Sequence, residues 1–236
     1  MPEILQPEVY RRWYETPLGA RVDADEKEIV FKLADLKPGE RVLDMGCGDG
    51  NYTGPAAGRT GSAVGLDRSP AMLRAAAKRL GGRPGLRWVE GDGLSLPFRD
   101  SSFDVVLIVT VLCFAADPQA VVNEAFRVLR CGGRLILGEL GRYSSWAFTR
   151  RIRGLLGSTT WRNARFFAPR DLRVLLERAG FTDTTTAAAV FYPPVQHALV
   201  TRAYGTIERF GRRCCPWAGA FLVMRGQRGD RGTNSA

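Results

Sequence analysis

R-V-L-D-M-G-C-G-D-G-N, residues Arg41–Asn51, is the stretch that decides the fold. Arg41–Met45 is short and apolar and reads as a buried strand. Asp44 stands near its carboxyl end, and Gly46, Gly48 and Gly50 follow on alternate positions. Lacking a Cβ, glycine reaches positive φ and lets a ligand approach the backbone. A glycine turn between a strand and a helix is where open α/β sheets hold nucleotide-like ligands. A dinucleotide fingerprint, G-x-G-x-x-G, would place its third glycine at position 51, where Asn51 stands. The spacing is D-x-G-x-G-x-G instead.

From Arg41 onward strands and helices alternate, the pattern of a parallel sheet with helices on both faces. Strands are expected at Ala63–Leu66 with Asp67 closing it, Leu86–Glu90, Asp104–Val109 and Arg134–Glu139. The unbroken apolar run of Asp104–Val109 suits a central strand. Helices are expected over Asn51–Arg59, from Pro70 to Leu80 behind a Ser69 cap, and from Asp117-Pro118 to Arg130 with Gly132-Gly133 as the stop. Further on, Pro169–Ala179 and Gln196–Phe210 read as helices, and Thr184–Tyr192 and Ala218–Arg225 as strands. Upstream, an aromatic helix over Pro7–Glu15 is broken at Thr16-Pro17-Leu18-Gly19. A second helix follows over Asp23–Leu36, with Asp23 as N-cap and Glu26 as its capping-box partner.

In Gly141–Phe167 the plain alternation lapses. Phe148, Ile152, Leu155 and Leu156 fall at i, i+4, i+7 and i+8, with Arg150, Arg151 and Arg153 between them. Such a basic amphipathic helix has three readings: lying on a membrane, walling a substrate cleft, or packing over the sheet with its arginines in water.

The chain of 236 residues is long enough for one domain with a good-sized core, and 45% hydrophobic with 25% charged residues is ordinary for a globular protein. Met1–Gln6 lacks the basic-then-apolar pattern of a secretory signal, and no run reaches membrane-span length. Net charge is +10, with arginine far ahead of lysine. That excess suits nucleic acid or anionic lipid, or is a solvated surface of biased composition. Cys47, Cys113, Cys131, Cys214 and Cys215 form no C-x-x-C pattern and are odd in number, so neither a metal site nor a disulfide framework is implied. Free thiols fit a reducing cytoplasm. The domain is expected over 1–226, with a polar, glycine-rich disordered tail over 227–236.

With the D-x-G-x-G-x-G loop in place, three later stretches complete a pattern: V-G-L-D with Asp67, E-G-D-G with Asp92 and Gly93, and F-D-V-V-L-I-V-T with Val109 and Thr110. In this order the chain resembles class I S-adenosylmethionine (SAM)-dependent methyltransferases over about Arg41–Glu139. Phe166–Phe181 is similar to a segment of the branch containing ubiquinone- and menaquinone-biosynthesis methyltransferases.

The resemblance implies a Rossmann-like seven-stranded, mostly parallel sheet ending in an antiparallel hairpin. Residues 1–40 would form an N-terminal helical cap over the cofactor, residues 41–139 the SAM-binding core and residues 140–226 the substrate side. Asp44, Gly46, Gly48 and Gly50 would form the loop at S-adenosyl-L-methionine. Asp67 would accept from both ribose hydroxyls and Asp92 from the adenine amino group beside Gly93, while Val109 and Thr110 would border the methionine part. Met72 and Leu73 are adenine contacts or core.

Methyl transfer needs alignment above all, because the sulfonium is already a good leaving group. A base is required only if the acceptor loses a proton during attack. His197, the sole histidine, and Tyr14 are the candidates. Tyr10, Tyr14, Tyr143, Trp146 and Tyr192 are candidate walls of the acceptor pocket. Thr110-Val111-Leu112-Cys113 replaces the Asn/Asp-Pro-Pro-Tyr/Phe tetrapeptide of exocyclic-amine nucleic-acid methyltransferases, and the cysteines match neither a cytosine-C5 nor an arsenite enzyme. A small, apolar or aromatic acceptor is therefore the leading reading. An RNA acceptor, a non-catalytic SAM-binding protein and, more distantly, a nicotinamide oxidoreductase are the alternatives.

Overall fold

The computed structural model describes residues 6–229. Among them a seven-stranded sheet forms the centre: β1 (Val42–Met45), β2 (Ala63–Asp67), β3 (Leu86–Glu90), β4 (Phe103–Val109), β5 (Leu129–Leu140), β6 (Phe181–Ala189) and β7 (Phe221–Arg228). The spatial order is β3-β2-β1-β4-β5-β7-β6. β1 to β5 are parallel, and β7 runs antiparallel to both β5 and β6. The order reverses between β1 and β4, so the crevice where ligands bind lies beyond the carboxyl ends of these two strands.

Alternation along the strands builds two cores, one on each face. In β4, Val105, Leu107 and Val109 join one, while Val106 and Ile108 join the other. The first core is covered by α2 (Pro17–Ala34) through Val22 and Ile29, by α3 (Thr53–Thr60) through Ala56, and by Tyr204 of α9 (Ala198–Cys214). The second is covered by α5 (Pro118–Val128) through Val121 and Val122, and by α8 (Pro169–Ala179) through Leu172 and Leu176. α1 (Pro7–Glu15) packs on α2, and α4 (Pro70–Leu80) lies over β2 and β3. α6 (Ser145–Leu155) and α7 (Thr159–Asn163) form the insertion after β5. Every residue of β4 is buried, as its apolar run requires.

Several boundaries differ from those read in the sequence. The Thr16-Pro17 break is the start of α2: Thr16 is extended, its Oγ1 accepts from Gly19 N at 3.0 Å, and Pro17 takes the first helical position. Proline forbids helix at the preceding residue but suits a first turn, so one dipeptide ends α1 and begins α2. Asp23 and Glu26 therefore lie inside a helix and form no capping box. α5 ends at Val128, and β5 starts at once, pairing Leu129 with Phe103 before an irregularity that takes in Gly132 and Gly133. β6 begins at Phe181, directly after Gly180 closes α8 in the left-handed region. β7 runs past Arg225 to Arg228, so the strand claims the first residues of the expected tail; positions 230–236 lie outside the described residues, as do positions 1–5. Ser69 caps α4 as read, accepting from Met72 N.

Arg134, on β5, fastens the carboxyl end of α2 to the sheet. Its guanidinium grips Glu40 through two bonds of 2.7 Å and donates to the carbonyls of Ala34 and Asp35. These are carbonyls that the helix end leaves unpaired. Arg134→Ala would strand a carboxylate and two carbonyls, so it is expected to lower the unfolding free energy by about 3 kcal/mol in urea denaturation.

Candidate functional site

At the crevice between β1 and β4 lies a cleft of about 260 Å³. Its floor is Met45, Gly46 and Gly48, one wall is Asp67–Ser69 with Met72, and another is Gly91–Leu94. Val109–Val111, Phe114–Ala116 and Val121 close the remaining side.

The floor turns because Gly46 and Gly48 hold φ at 77° and 53°. The N–H groups of Gly46 and Cys47 donate to the Leu66 carbonyl at 2.7 and 2.9 Å, tying the turn to β2. A side chain at Gly46 would strike Val111, whereas one at Gly48 would meet no protein atom within 4 Å and would fill the cleft. Gly50 serves packing: its missing Cβ makes room for Trp88 and Leu80.

Asp67 sits at the end of β2 with its carboxylate on the loop. Oδ2 accepts from Gly48 N at 2.9 Å and Oδ1 from Ser69 N at 2.8 Å. Each carboxylate oxygen has a second lone pair for a ligand hydroxyl. Asp92 Oδ1 accepts from Leu94 N at 2.9 Å, closing a tight turn that presents the Gly93 backbone to the floor. Thr110 lies in the left-handed region at φ 53°, an uncommon state for a residue with a side chain, and donates its N–H to Gly138 O at 2.7 Å.

Asp44 does not reach the cleft. It is 2% exposed, beneath the loop, and Thr53 Oγ1 donates to it at 2.5 Å. Burial pushes its carboxyl up to about 7. His197 is exposed, precedes α9 and is absent from the lining. Tyr192 is core: fully buried, stacked on Tyr204 at 4.1 Å, with its hydroxyl on Asp25. Trp146 is core too, donating its indole N–H to Tyr192 O. Tyr143 is on the surface against Trp217, and the side chain of Tyr10 lies outside the described residues. Met72 lines the cleft, while Leu73 does not.

Four residues to which the sequence reading gave no such role brace this site. Asn51, where a dinucleotide loop has glycine, donates to Asp23 Oδ1 at 2.7 Å and accepts from Lys27 Nζ at 2.8 Å, bolting α2 to the loop. Arg11 of α1 adds an ion pair to Asp49 at 3.3 Å. Glu139, wholly buried at the end of β5, accepts from the N–H groups of Val111, Leu112 and Cys113 at 3.1, 2.7 and 3.2 Å. It thereby shapes the wall after Thr110; burial holds its carboxyl up at about 7. The only sequence signal was an acidic residue closing an apolar strand. Glu26 meets Tyr52 Oη at 3.5 Å within the field of Arg150. Burial raises it to about 8, Asp23 adds to the rise, and Arg150 opposes it.

This geometry defines a class: an α/β protein with a cleft at the sheet's switch point, walled by two carboxylates over a glycine floor. Residues 43–137 match the family model described as a methyltransferase domain. An uncharacterized protein of Methanocaldococcus jannaschii is 31% identical over 205 residues, 84% of this chain and 90% of the relative. A demethylmenaquinone methyltransferase of Tropheryma whipplei is 41% identical over 118 residues, half of this chain and 48% of the relative. A Thermotoga maritima structure, described as a SAM-dependent methyltransferase and possible histamine N-methyltransferase, shares 27% identity over 94% of this chain and 95% of its own, with a TM-score of 0.71. The chain spans 61% of the length of the mycobacterial relatives that it matches. The chain belongs to the class I SAM-dependent methyltransferases, and its cofactor is S-adenosyl-L-methionine.

Glu26, Asp44 and Glu139 bind protons more tightly in the folded protein than in the unfolded chain. The folded state therefore carries extra protons from about pH 5 to about pH 8, and stability falls as pH rises through that window. Glu26→Gln keeps the shape and removes the titration. Relative to wild type, the variant is expected to gain on the order of 1–3 kcal/mol between pH 5 and pH 8 in urea unfolding.

Proposed function

We propose that this protein methylates a small, apolar or aromatic acceptor, and that Gly46, Gly48, Asp67, Asp92, Gly93, Val109 and Thr110 contact the cofactor. The observation that carries the reading is the convergence of Asp67, Asp92 and the open side of Gly48 on one cleft. Asp67 suits the ribose, because a carboxylate with both oxygens anchored by backbone N–H groups is aimed before the ligand arrives. Asp92, across the cleft, suits the adenine amino group. Asp44 acts from beneath as a positioning residue, holding Thr53 at the start of α3.

When bound, the cofactor supplies an electrophilic methyl group on a good leaving group. The chain's part is to orient and to keep water away. Val109, Val111, Phe114 and Val121 give the far wall its apolar surface, which favours an acceptor of like character. Alignment of two reactants in such a site contributes on the order of 7–11 kcal/mol in favourable cases. Among the described lining residues the titratable ones are Asp67, Arg68 and Asp92, so the reading assigns no base to the cleft. The name of the Tropheryma relative, which specifies a demethylmenaquinone, supports an apolar ring as acceptor, as does the likeness of Phe166–Phe181 to that branch.

Calorimetric titration with S-adenosylhomocysteine, with NAD as control, tests the cofactor contacts. Asp67→Ala is expected to weaken S-adenosylhomocysteine binding roughly 10–100-fold, the loss of a charged acceptor for two hydroxyls. Unchanged affinity would remove the ribose assignment. Gly48→Val is strained at φ 53° and is expected to melt below wild type, and where still folded it should bind poorly, since its side chain enters the cleft rather than the protein core. His197→Ala is expected to turn over at close to the wild-type rate, and a large drop would restore the histidine as base.

A further inference from the structure

α6 is turned the opposite way from the most ordinary reading of its sequence. Trp146, Ala147 and Gly154 face inward. Arg150 joins them, its guanidinium 5.2 Å from the Trp146 ring and 4.8 Å from that of Trp161. The apolar stripe points to solvent: Phe148 is 65% exposed, Leu155 86%, Leu156 81% and Ile152 38%. Gly154 explains the rotation, because a Cβ there would lie 2.9 Å from the Arg162 nitrogen; α7 packs against the one position of the helix that offers no side chain.

Four large apolar side chains sharing one exposed helix face are uncommon on a solitary soluble surface and mark a site of association. Their setting is strongly cationic. From Leu140 to Arg170 the chain holds seven arginines and neither Asp nor Glu. Arg142 pairs with Asp171 and Arg150 turns inward, whereas Arg151, Arg153, Arg162 and Arg165 are exposed around the stripe.

We infer that this face docks on an anionic lipid surface. Phe148, Leu155 and Leu156 would enter the boundary between headgroups and acyl chains, and the arginines would meet the phosphates. Charge complementarity selects this occupant. A second copy would bring arginines against arginines, and a nucleic acid would leave the leucines without a role. The face also adjoins the cleft: Arg165 N donates to Cys113 O at 2.9 Å and its guanidinium to Ala116 O at 3.2 Å, beside the wall formed by Phe114–Ala116. Docking would set that wall close to the bilayer. The inference stands on α6 and its surroundings and does not depend on the acceptor.

Co-sedimentation of the full chain with phosphatidylcholine vesicles, and with vesicles containing phosphatidylglycerol, tests it. Wild type is expected to bind the anionic vesicles at least about tenfold more tightly, and added salt should weaken that binding. Leu155→Ser with Leu156→Ser should lower the affinity roughly tenfold or more, and Arg151→Glu with Arg153→Glu should abolish the preference for anionic lipid. Both pairs are exposed, but Arg151 also lies 5.1 Å over the ring of buried Phe166, so the glutamate pair is expected to melt slightly below wild type, the serine pair to melt like wild type, and S-adenosylhomocysteine affinity equal to wild type certifies folding of both. Absence of binding to anionic vesicles, or equal binding by the double-serine variant, would overturn the inference. So would RNA binding that the glutamate pair abolishes and the serine pair leaves intact, if vesicle binding is missing.

Discussion

A backbone turn that must leave its ligand-facing side bare has to be held from behind, and much of this structure follows from that constraint. Gly46 and Gly48 carry nothing toward the cleft, so other chain segments fix them in place. The Leu66 carbonyl takes two of their neighbouring N–H groups, Asp67 takes a third, and Asn51 and Asp49 tie the turn to α2 and α1. The N-terminal helices are thus part of the floor's support. The same logic recurs across the cleft, where Glu139 gathers three N–H groups from the loop after Thr110.

These braces carry an electrostatic cost. Asp44 and Glu139 are buried acids and Glu26 is a half-buried one, and desolvation raises all three toward neutrality. A buried acceptor that meets backbone or hydroxyl donors at 2.5–3.2 Å is the form in which such groups are tolerated. Glu26 is different in kind, because its neighbours are Tyr52 and the cationic Arg150. Arg150 is itself drawn inward beside two tryptophan rings, on the side of α6 opposite the exposed Phe148 and Leu155.

Much of the architecture was legible because its causes are local. Apolar strands, the Ser69-Pro70 start of α4 and the glycine loop each announce themselves within a few residues. The spacing from Asp44 to Asp67 and Asp92 likewise follows from strands of ordinary length joined by helices of ordinary length, so carboxylates at strand ends must arrive on one edge of the sheet. Where the reading missed, the cause lay in a choice between partners. Thr16-Pro17 reads equally well as the end of one helix or the start of the next, and both occur. Tyr192 and Trp146 look like pocket walls by type, but Asp25 and the Tyr192 carbonyl offer their polar tips buried partners in the core.

The amino-acid sequence by itself therefore determined the α/β class, the glycine loop and the order of the strand-end carboxylates, since periodicity, glycine and strand-end acids act over short range. Tertiary structure alone decided which acids face the cleft and which lie beneath it. It also made Asn51 a bolt, though its partners lie 24 and 28 residues upstream. Finally it set the rotation of α6. A helix with aromatic, apolar and arginine positions can bury either side, and only the approach of α7 to Gly154 selects one.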